Sequence, residues 1–293
     1  MKELTKLVLG TAQMGLEYGI NNKSGKIDLR KSLKILDYAF ENGIRTLDTA
    51  EVYGTAHYVI SEYHKLHPNN QFNIITKLPK SVRLETVKSK IDQYLNDLRI
   101  SNIHLLMYHD FETYRQDHEL AIHILTSLKS DNVKRVGVSV YTNDQIMDIL
   151  NDEKKVDVIQ LPYNLLDNKF QRGFVLEKMK MLRVAAHTRS PFLQGMFFLD
   201  DKSNNEAFKY LSFFINELKG IANSSGVSLQ ALALLYSYLN KLSESVILGV
   251  DSIEQLKVNL DIISNQFISN ELVALVDRIE VQNTDLLNPS LWK

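Results

Sequence analysis

Eight short β-branched or aliphatic runs recur along the chain, separated by longer amphipathic stretches, and this alternation limits the fold more than any other feature. The runs are LVLG at 7–10, TLDTA at 46–50, NIITKL at 73–78, IHLLMYH at 103–109, RVGVSV at 135–140, VIQLPY at 158–163, RVAAHT at 183–188 and SVILGV at 245–250. Between them the spacing is helical: in LRKSLKILDYAFENG (29–43), Leu33, Leu36, Phe40 and Ile44 fall on one face and Gly43 supplies a C-terminal stop. Strands that alternate with helices form a parallel sheet with right-handed crossovers. An open sheet of eight strands leaves two edges to protect, and closure into a barrel removes them. The expected fold is therefore α/β, a (β/α)8 TIM barrel forming a single domain over 1–293, with its active site at the C-terminal rim of the strands. The interval 183–245 carries two helical patterns, 206–223 and 228–240, so one of them is an addition to the eightfold plan. No G-x-G-x-x-G follows any of the runs, which argues against a doubly wound nucleotide-binding sheet.

Composition narrows the function classes. The 293 residues have a formal net charge of -1 with both signs mixed, so there is no electrostatic footprint for nucleic acid or an anionic membrane. A small molecule is the expected partner, and nothing in the sequence specifies a homo-oligomer. The chain has no cysteine, which excludes disulfides, thiolate metal sites and cysteine nucleophiles. The apolar run near the N-terminus is too short for a signal peptide and no stretch approaches a membrane span, so the expected location is cytoplasmic. His64 and His67 stand three apart without a third ligand and read as a solvated helix end, and no metal site is expected.

Strand alternation then gathers the chemistry. Thr46, Asp48 and Ala50 share one face, as do Asn73, Ile75 and Lys77, and as do Ile103, Leu105, Met107 and His109. Asp48, Lys77 and His109 thus reach the C-terminal ends of three consecutive strands, with Tyr53 in the loop after the second. A charge pointing into a barrel needs a partner, so Asp48 and Lys77 are expected to pair. Each residue alone has a plain structural reading, as a bridge, a packing ring or a polar cap; their convergence on one rim favours chemistry. Hydride addition to a carbonyl builds charge on its oxygen, and a proton donor must answer it. The expectation is that Lys77 lowers the tyrosine pKa from about 10, that Asp48 holds the lysine, and that His109 polarises the carbonyl.

At these residues the sequence resembles the aldo-keto reductases along nearly its whole length. LGTAQMG (9–15) is similar to the family's first-strand signature, and D-T-A-x-x-Y-G from Asp48 to Gly54 to its most specific motif. The resemblance implies an NAD(P)H-dependent oxidoreductase whose catalytic tetrad is Asp48, Tyr53, Lys77 and His109, with NADP or NAD as cofactor. GVSVYT (137–142) and IQLPYN (159–164) resemble the segments whose serine and glutamine contact the nicotinamide carboxamide, implying Ser139 and Gln160. RSPFLQG (189–195) resembles the loop near the pyrophosphate, implying Arg189, Ser190, Phe192 and Gly195, while Gly10, Thr11 and Ala12 come from the first-strand motif. ILGVDSIEQLKVN (247–259) resembles the adenosine-binding region, implying Gly249, Asp251, Ser252, Gln255 and Asn259; Ser252 also reads as a helix N-cap.

Departures from the family pattern matter as much. Val140 stands where asparagine is common, and Arg189 where an aromatic ring is common, leaving a guanidinium to stack on the nicotinamide or bind an anionic substrate group. Gly249 and Gln255 replace the lysine and arginine that grip a 2′-phosphate, which leaves the choice between NADPH and NADH open. On the substrate side, Tyr18 in the loop LEYGINNKSGK (16–26), the loop 110–118 and Trp292 in the tail LLNPSLWK are candidates to close the pocket, Trp292 also reading as a tail anchor. The general look is similar to members associated with surface-polysaccharide sugars, implying carbohydrate metabolism and a sugar or nucleotide-sugar carbonyl. A Schiff-base aldolase using Lys77 and a non-catalytic, nucleotide-sensing regulatory barrel are the alternatives.

Overall fold

The computed structural model describes residues 4–80, 82–116, 132–152, 156–200 and 202–292. Each of the eight apolar runs holds a strand: β1 Leu7–Gly10, β2 Thr46–Asp48, β3 Asn73–Leu78, β4 Leu105–Tyr108, β5 Val136–Ser139, β6 Val158–Pro162, β7 Ala185–Arg189 and β8 Ser245–Gly249. They pair in sequence order, all parallel, and β8 closes onto β1 through Leu7↔Val246 to Gly10↔Gly249. Some strands are shorter than their runs. Ile103, for example, makes only an isolated bridge to Val133 and stands outside β4.

The described helices are α1 Ala12–Gly15, α2 Leu29–Glu41, α3 Ala56–Leu66, α4 Leu84–Leu98, α5 Phe111–Gln116, α6 Asn143–Asn151, α7 Lys169–Met181, α8 Glu206–Ser224, α9 Leu229–Tyr238, α10 Ile253–Asn265 and α11 Asn270–Val276. Of the two between β7 and β8, α9 is buried from Ala231 to Tyr238 and packs on α10 and β8. The added helix is α8, which lies outside against α9 and α11. The face of α2 is rotated from its expected setting: it buries Ser32, Ile35, Leu36 and Ala39, while Leu33 and Phe40 stay at the margin. Small Ser32 and Ala39 let the helix approach the barrel closely, and Phe40 instead meets Phe72 edge-on, 5.2 Å between centroids. No described helix is long and apolar enough to cross a membrane.

Inside the barrel, Val8, Ile75, Leu105, Met107, Val158 and Ile247 form an apolar plug with Ala185 beside it. These residues come from the inward positions of six strands, and they exclude water from beneath the rim. The next inward positions on β2, β3 and β6 are Asp48, Lys77 and Gln160, so the polar layer rests on hydrocarbon.

Two glycines set the loop that carries Tyr53. A Cβ built on Gly15 would lie 1.6 Å from the Tyr53 carbonyl oxygen, and one on Gly54, at φ +54°, would lie 2.3 Å from the Gly15 carbonyl oxygen. Backbone therefore packs directly on backbone, closed by Thr55 N–H donating to the Gly15 carbonyl at 3.3 Å. Gly15→Ala is expected to push this loop out of place and to lower the carbonyl reduction that the family resemblance implies by more than about tenfold while the chain stays folded. Activity and far-ultraviolet circular dichroism on the same preparation check it; unchanged activity would mean the contact is not needed to place Tyr53.

Candidate active site

The polar layer is a continuous network. Lys77 Nζ donates to Asp48 Oδ1 at 2.6 Å and to the Thr49 carbonyl at 3.0 Å, and Gln160 Nε2 donates to Asp48 Oδ2 at 2.8 Å. Thr11 supports the same strand end, its N–H and hydroxyl both donating to the Asp48 carbonyl at 3.0 Å. Asp48 is 3% exposed and Lys77 1%, so neither charge is stable there without the other. Burial pushes the Lys77 ammonium pKa down from its ordinary value, and the charge and hydrogen bond of Asp48 oppose that shift.

Tyr53 and His109 meet above this pair. Their rings pack edge to face at 83°, 5.9 Å between centroids, and Lys77 Nζ stands 5.1 Å from the centre of the Tyr53 ring. The net shift of the Tyr53 pKa is upward, caused first by desolvation and then by the Asp48 charge, with Arg189 pulling the other way. This corrects the expectation that Lys77 lowers it: the lysine charge is largely neutralised by the carboxylate at 2.6 Å. The phenol therefore carries its proton at neutral pH. Desolvation, then Lys77, push His109 down to about 4. The imidazole is neutral at physiological pH and can donate one hydrogen bond. The rate of carbonyl reduction is accordingly expected to show no histidine step between about pH 5.5 and about pH 8. A step near pH 6.5 that His109→Gln abolished would contradict this.

A cavity of about 380 Å3 opens on the rim beside the network. Most of the expected contacts line it: Gly10, Thr11 and Ala12 after β1, Asp48 and Tyr53, Gln160 on β6, Arg189, Ser190, Phe192 and Gly195 after β7, Gly249 and Asp251 after β8, and Gln255 and Asn259 on α10, with Tyr18 from the loop 16–26. Lys77 lies behind Asp48, and His109 reaches the site through its contact with Tyr53. Ser139 is buried at the end of β5, on a neighbouring cavity of about 290 Å3 with Lys80, Asp110 and Tyr141. Arg189 is not free to stack on a ligand with its whole guanidinium: Nη2 donates to the Val140 carbonyl at 3.0 Å and Cζ lies 4.2 Å from the Tyr141 ring centre.

Two candidates stand elsewhere. Ser252 is the N-cap of α10, its Oγ accepting from Gln255 N–H at 3.2 Å. Trp292 does not line the cavity; its Nε1–H donates to the Leu286 carbonyl at 2.9 Å and its ring packs on the core, the anchor reading of the tail. Of the loop 110–118, residues 111–116 form α5, and residues 117 and 118 lie outside the described residues. His64 is not part of a solvated helix end. It is 2% exposed, with Nδ1 donating to the Leu98 carbonyl at 2.7 Å and Nε2 accepting from Phe72 N–H at 3.1 Å, while His67 Nε2 lies 3.2 Å from Asp37.

Sequence reading missed Gln13, Gln194 and Gln230, all on the cavity wall. Gln13 sits within LGTAQMG, where its proximity to Gly249 was the missing signal: a Cβ on Gly249 would lie 2.5 Å from Gln13 Nε2. Gln194 ties the loop 16–26 across the opening, its Nε2 donating to the Tyr18 hydroxyl at 3.1 Å and its carbonyl accepting from Ile20 N–H at 3.2 Å. Gln230 belongs to no motif and arrives from α9 to donate to Asn259 Oδ1 at 2.9 Å.

The model of the aldo/keto reductase family matches residues 6–280. The chain belongs to the aldo/keto reductase family. It is an NAD(P)-dependent oxidoreductase of that family, similar to the uncharacterized oxidoreductase YqkF of Bacillus subtilis, 25% identical over 285 residues that cover 88% of this chain and 90% of the relative. It is also similar to D-arabinose 1-dehydrogenase of Saccharomyces cerevisiae, 24% identical over 288 residues, 89% of this chain and 83% of that one. Among solved structures, the aldo-keto reductase AKR11C1 of Bacillus halodurans in its holo form superposes with a TM-score of 0.77 at 18% identity, covering 94% of this chain and 92% of that chain. The glycerol dehydrogenase AKR11B4 of Gluconobacter oxydans gives 0.74 at 19%, covering 94% and 90%. At these identities the structural likeness of this aldo/keto reductase to both is one of fold.

Proposed function

We propose that this aldo/keto reductase uses NADPH or NADH to reduce the carbonyl of a sugar or nucleotide-sugar, with Tyr53 as the proton donor and the whole chain, 1–293, acting as one domain. The observation that carries the reading is the Asp48–Lys77 pair under Tyr53 and His109, at one end of a cavity that runs on to Gly249, Asp251 and Asn259. The residues fit a dinucleotide. Gly249 lets the Gln13 amide lie directly against the backbone of the cavity wall, where a Cβ would collide with it, and Asp251 Oδ1 is a buried acceptor with no hydrogen-bond partner. Gly10, Thr11 and Ala12, with Ser190, Phe192 and Gly195, would hold the middle of the cofactor. Asn259, Gln255 and Gly249 would flank its adenosine half. Gln160 and Arg189 would flank its nicotinamide end, with Ser139 on the neighbouring cavity. The cofactor supplies a hydride to the carbonyl carbon when bound.

The chain's own residues do the rest. Tyr53 gives its proton to the carbonyl oxygen as charge develops there. Neutral His109 donates a hydrogen bond that orients the same oxygen. Gln160 holds Asp48, Asp48 holds Lys77 in place, and Lys77, 5.1 Å from the ring centre, positions the tyrosine. The polar wall of Gln13, Asn21, Asn22, Ser190 and Gln194 suits a hydroxylated substrate or cofactor, and the relative named for D-arabinose supports a sugar. The same reading makes it a cytoplasmic enzyme of carbohydrate metabolism, the latter supported by the relative named for D-arabinose. Lys77, with its ammonium bonded to Asp48 and Thr49 and no cavity wall of its own, is poorly placed to form a Schiff base, which weighs against an aldolase.

A panel of aldoses, ketoses and nucleotide-sugars is the test, with oxidation of NADH and NADPH followed by absorbance. Turnover of a sugar carbonyl is expected. Tight nucleotide binding with no turnover across the panel would instead favour a regulatory barrel.

A further inference from the structure

The end of the cavity remote from Tyr53 carries a carboxylate and no cation. There Asp251 follows β8 and precedes the N-terminus of α10, and the other side chains on that wall are Gln255, Asn259 and Gln230. The only cation on the cavity wall, among the described residues, is Arg189, which belongs to β7 beside Gln160 and is held by Val140 and Tyr141.

Three observations bear on what this end can accept. First, the N-terminal turn of α10 is already capped from within. Gln255 N–H donates to Ser252 Oγ at 3.2 Å, and Asp251 N–H donates to Gln255 Oε1 at 2.8 Å. Second, Asp251 is itself the anion placed next to the positive end of the helix, so the field that would attract a phosphate is used by the protein's own carboxylate. Third, one oxygen of that carboxylate is satisfied weakly and the other not at all. Gln255 Nε2 donates to Oδ2 at 3.4 Å, and Oδ1 is buried with no partner. A buried acceptor without a donor is costly, and a ligand hydroxyl would relieve it.

We propose that Asp251 is the residue that selects the cofactor, making this aldo/keto reductase specific for the dinucleotide with a free ribose 2′-hydroxyl, NADH, over its 2′-phosphorylated form, NADPH. The inference rests on the nicotinamide-dependent reading given above. The free diol donates to Oδ1 and completes its hydrogen bonding. A 2′-phosphate brings about two negative charges against a carboxylate with no lysine or arginine to offset them. Discrimination thus has an attractive part and a repulsive part, both in one side chain. Asn259 and Gln230 read the neighbouring base in either dinucleotide, since their amides carry no charge and bond to each other at 2.9 Å.

The test is calorimetric titration of the intact protein with NADH and with NADPH, no substrate being present, repeated for Asp251→Asn and Asp251→Ser. Wild type is expected to bind NADH at least about tenfold more tightly than NADPH, and the gap should narrow as salt is raised. Either variant should bring the two affinities to within about threefold, through tighter NADPH as well as weaker NADH. Two variants are used because Asp251 borders the α10 cap, and the thermal midpoint of each shows that it folds. Equal or NADPH-favoured binding by wild type, or an unchanged ratio in both folded variants, would overturn the role of Asp251 and leave the reductase reading standing. Binding of neither dinucleotide would overturn both.

Discussion

Tyr53→Phe is expected to lower the rate of carbonyl reduction about 10²- to 10⁴-fold while binding of the dinucleotide changes by less than about threefold. The hydroxyl is the only part of the side chain removed, and the ring contacts with His109 and Lys77 that hold the loop remain available. Burial and the Asp48 charge push the phenol pKa up, so wild type has its proton in place at neutral pH. Single-turnover reduction with saturating dinucleotide separates the two quantities. A variant that keeps both binding and turnover would remove Tyr53 from proton transfer, and one that loses both would make it a binding residue.

Lys77→Met carries the second large effect, on stability as well as rate. It leaves Asp48 3% exposed with Gln160 as its remaining side-chain donor. Breaking a buried pair in this way costs about 3–5 kcal/mol, and the Gln160 hydrogen bond places the expected loss toward the lower value. The double variant Asp48→Asn with Lys77→Met removes the stranded charge and should recover much of that loss, while reduction stays abolished in both. Urea unfolding measures it as a shift in midpoint at constant slope. A single variant as stable as wild type would show that the pair contributes nothing net, and a double variant no better than the single would place the cost in packing rather than in charge.

The barrel was legible because both sides of each strand are covered, by the plug within and helices without, so all eight strands read as aliphatic runs. Asp48 and Lys77 were legible as charges at inward positions of such runs, where a charge has few uses besides a site, whereas Gln160 was implied only by the resemblance of IQLPYN. The face of α2 was not, because its close approach depends on Ser32 and Ala39, and hydrophobic periodicity gives small residues little weight. His64 was misread for a different reason: its partners, the Leu98 carbonyl and the Phe72 N–H, come from segments that only the fold brings to it. Gln230 is the same case, a side chain on α9 that meets Asn259 on α10. The direction of the Tyr53 shift needed the geometry, since whether Lys77 acts on the phenol depends on how completely Asp48 neutralises it at 2.6 Å. Ser252 and Gln255 show the converse, a pattern readable as an N-cap whose consequence for the cavity appears only once Asp251 is seen beside it.

Hydride transfer from a nicotinamide to a carbonyl carbon at this rim can be followed isotopically. Reduction of a sugar substrate with NADH carrying deuterium at the transferred position, followed by mass spectrometry of the product, tests it directly. One deuterium is expected on the new carbinol carbon for each nicotinamide oxidised, with the hydroxyl proton drawn through Tyr53 from solvent. Product formed without deuterium, or nicotinamide left unoxidised in the presence of every carbonyl offered, would contradict it.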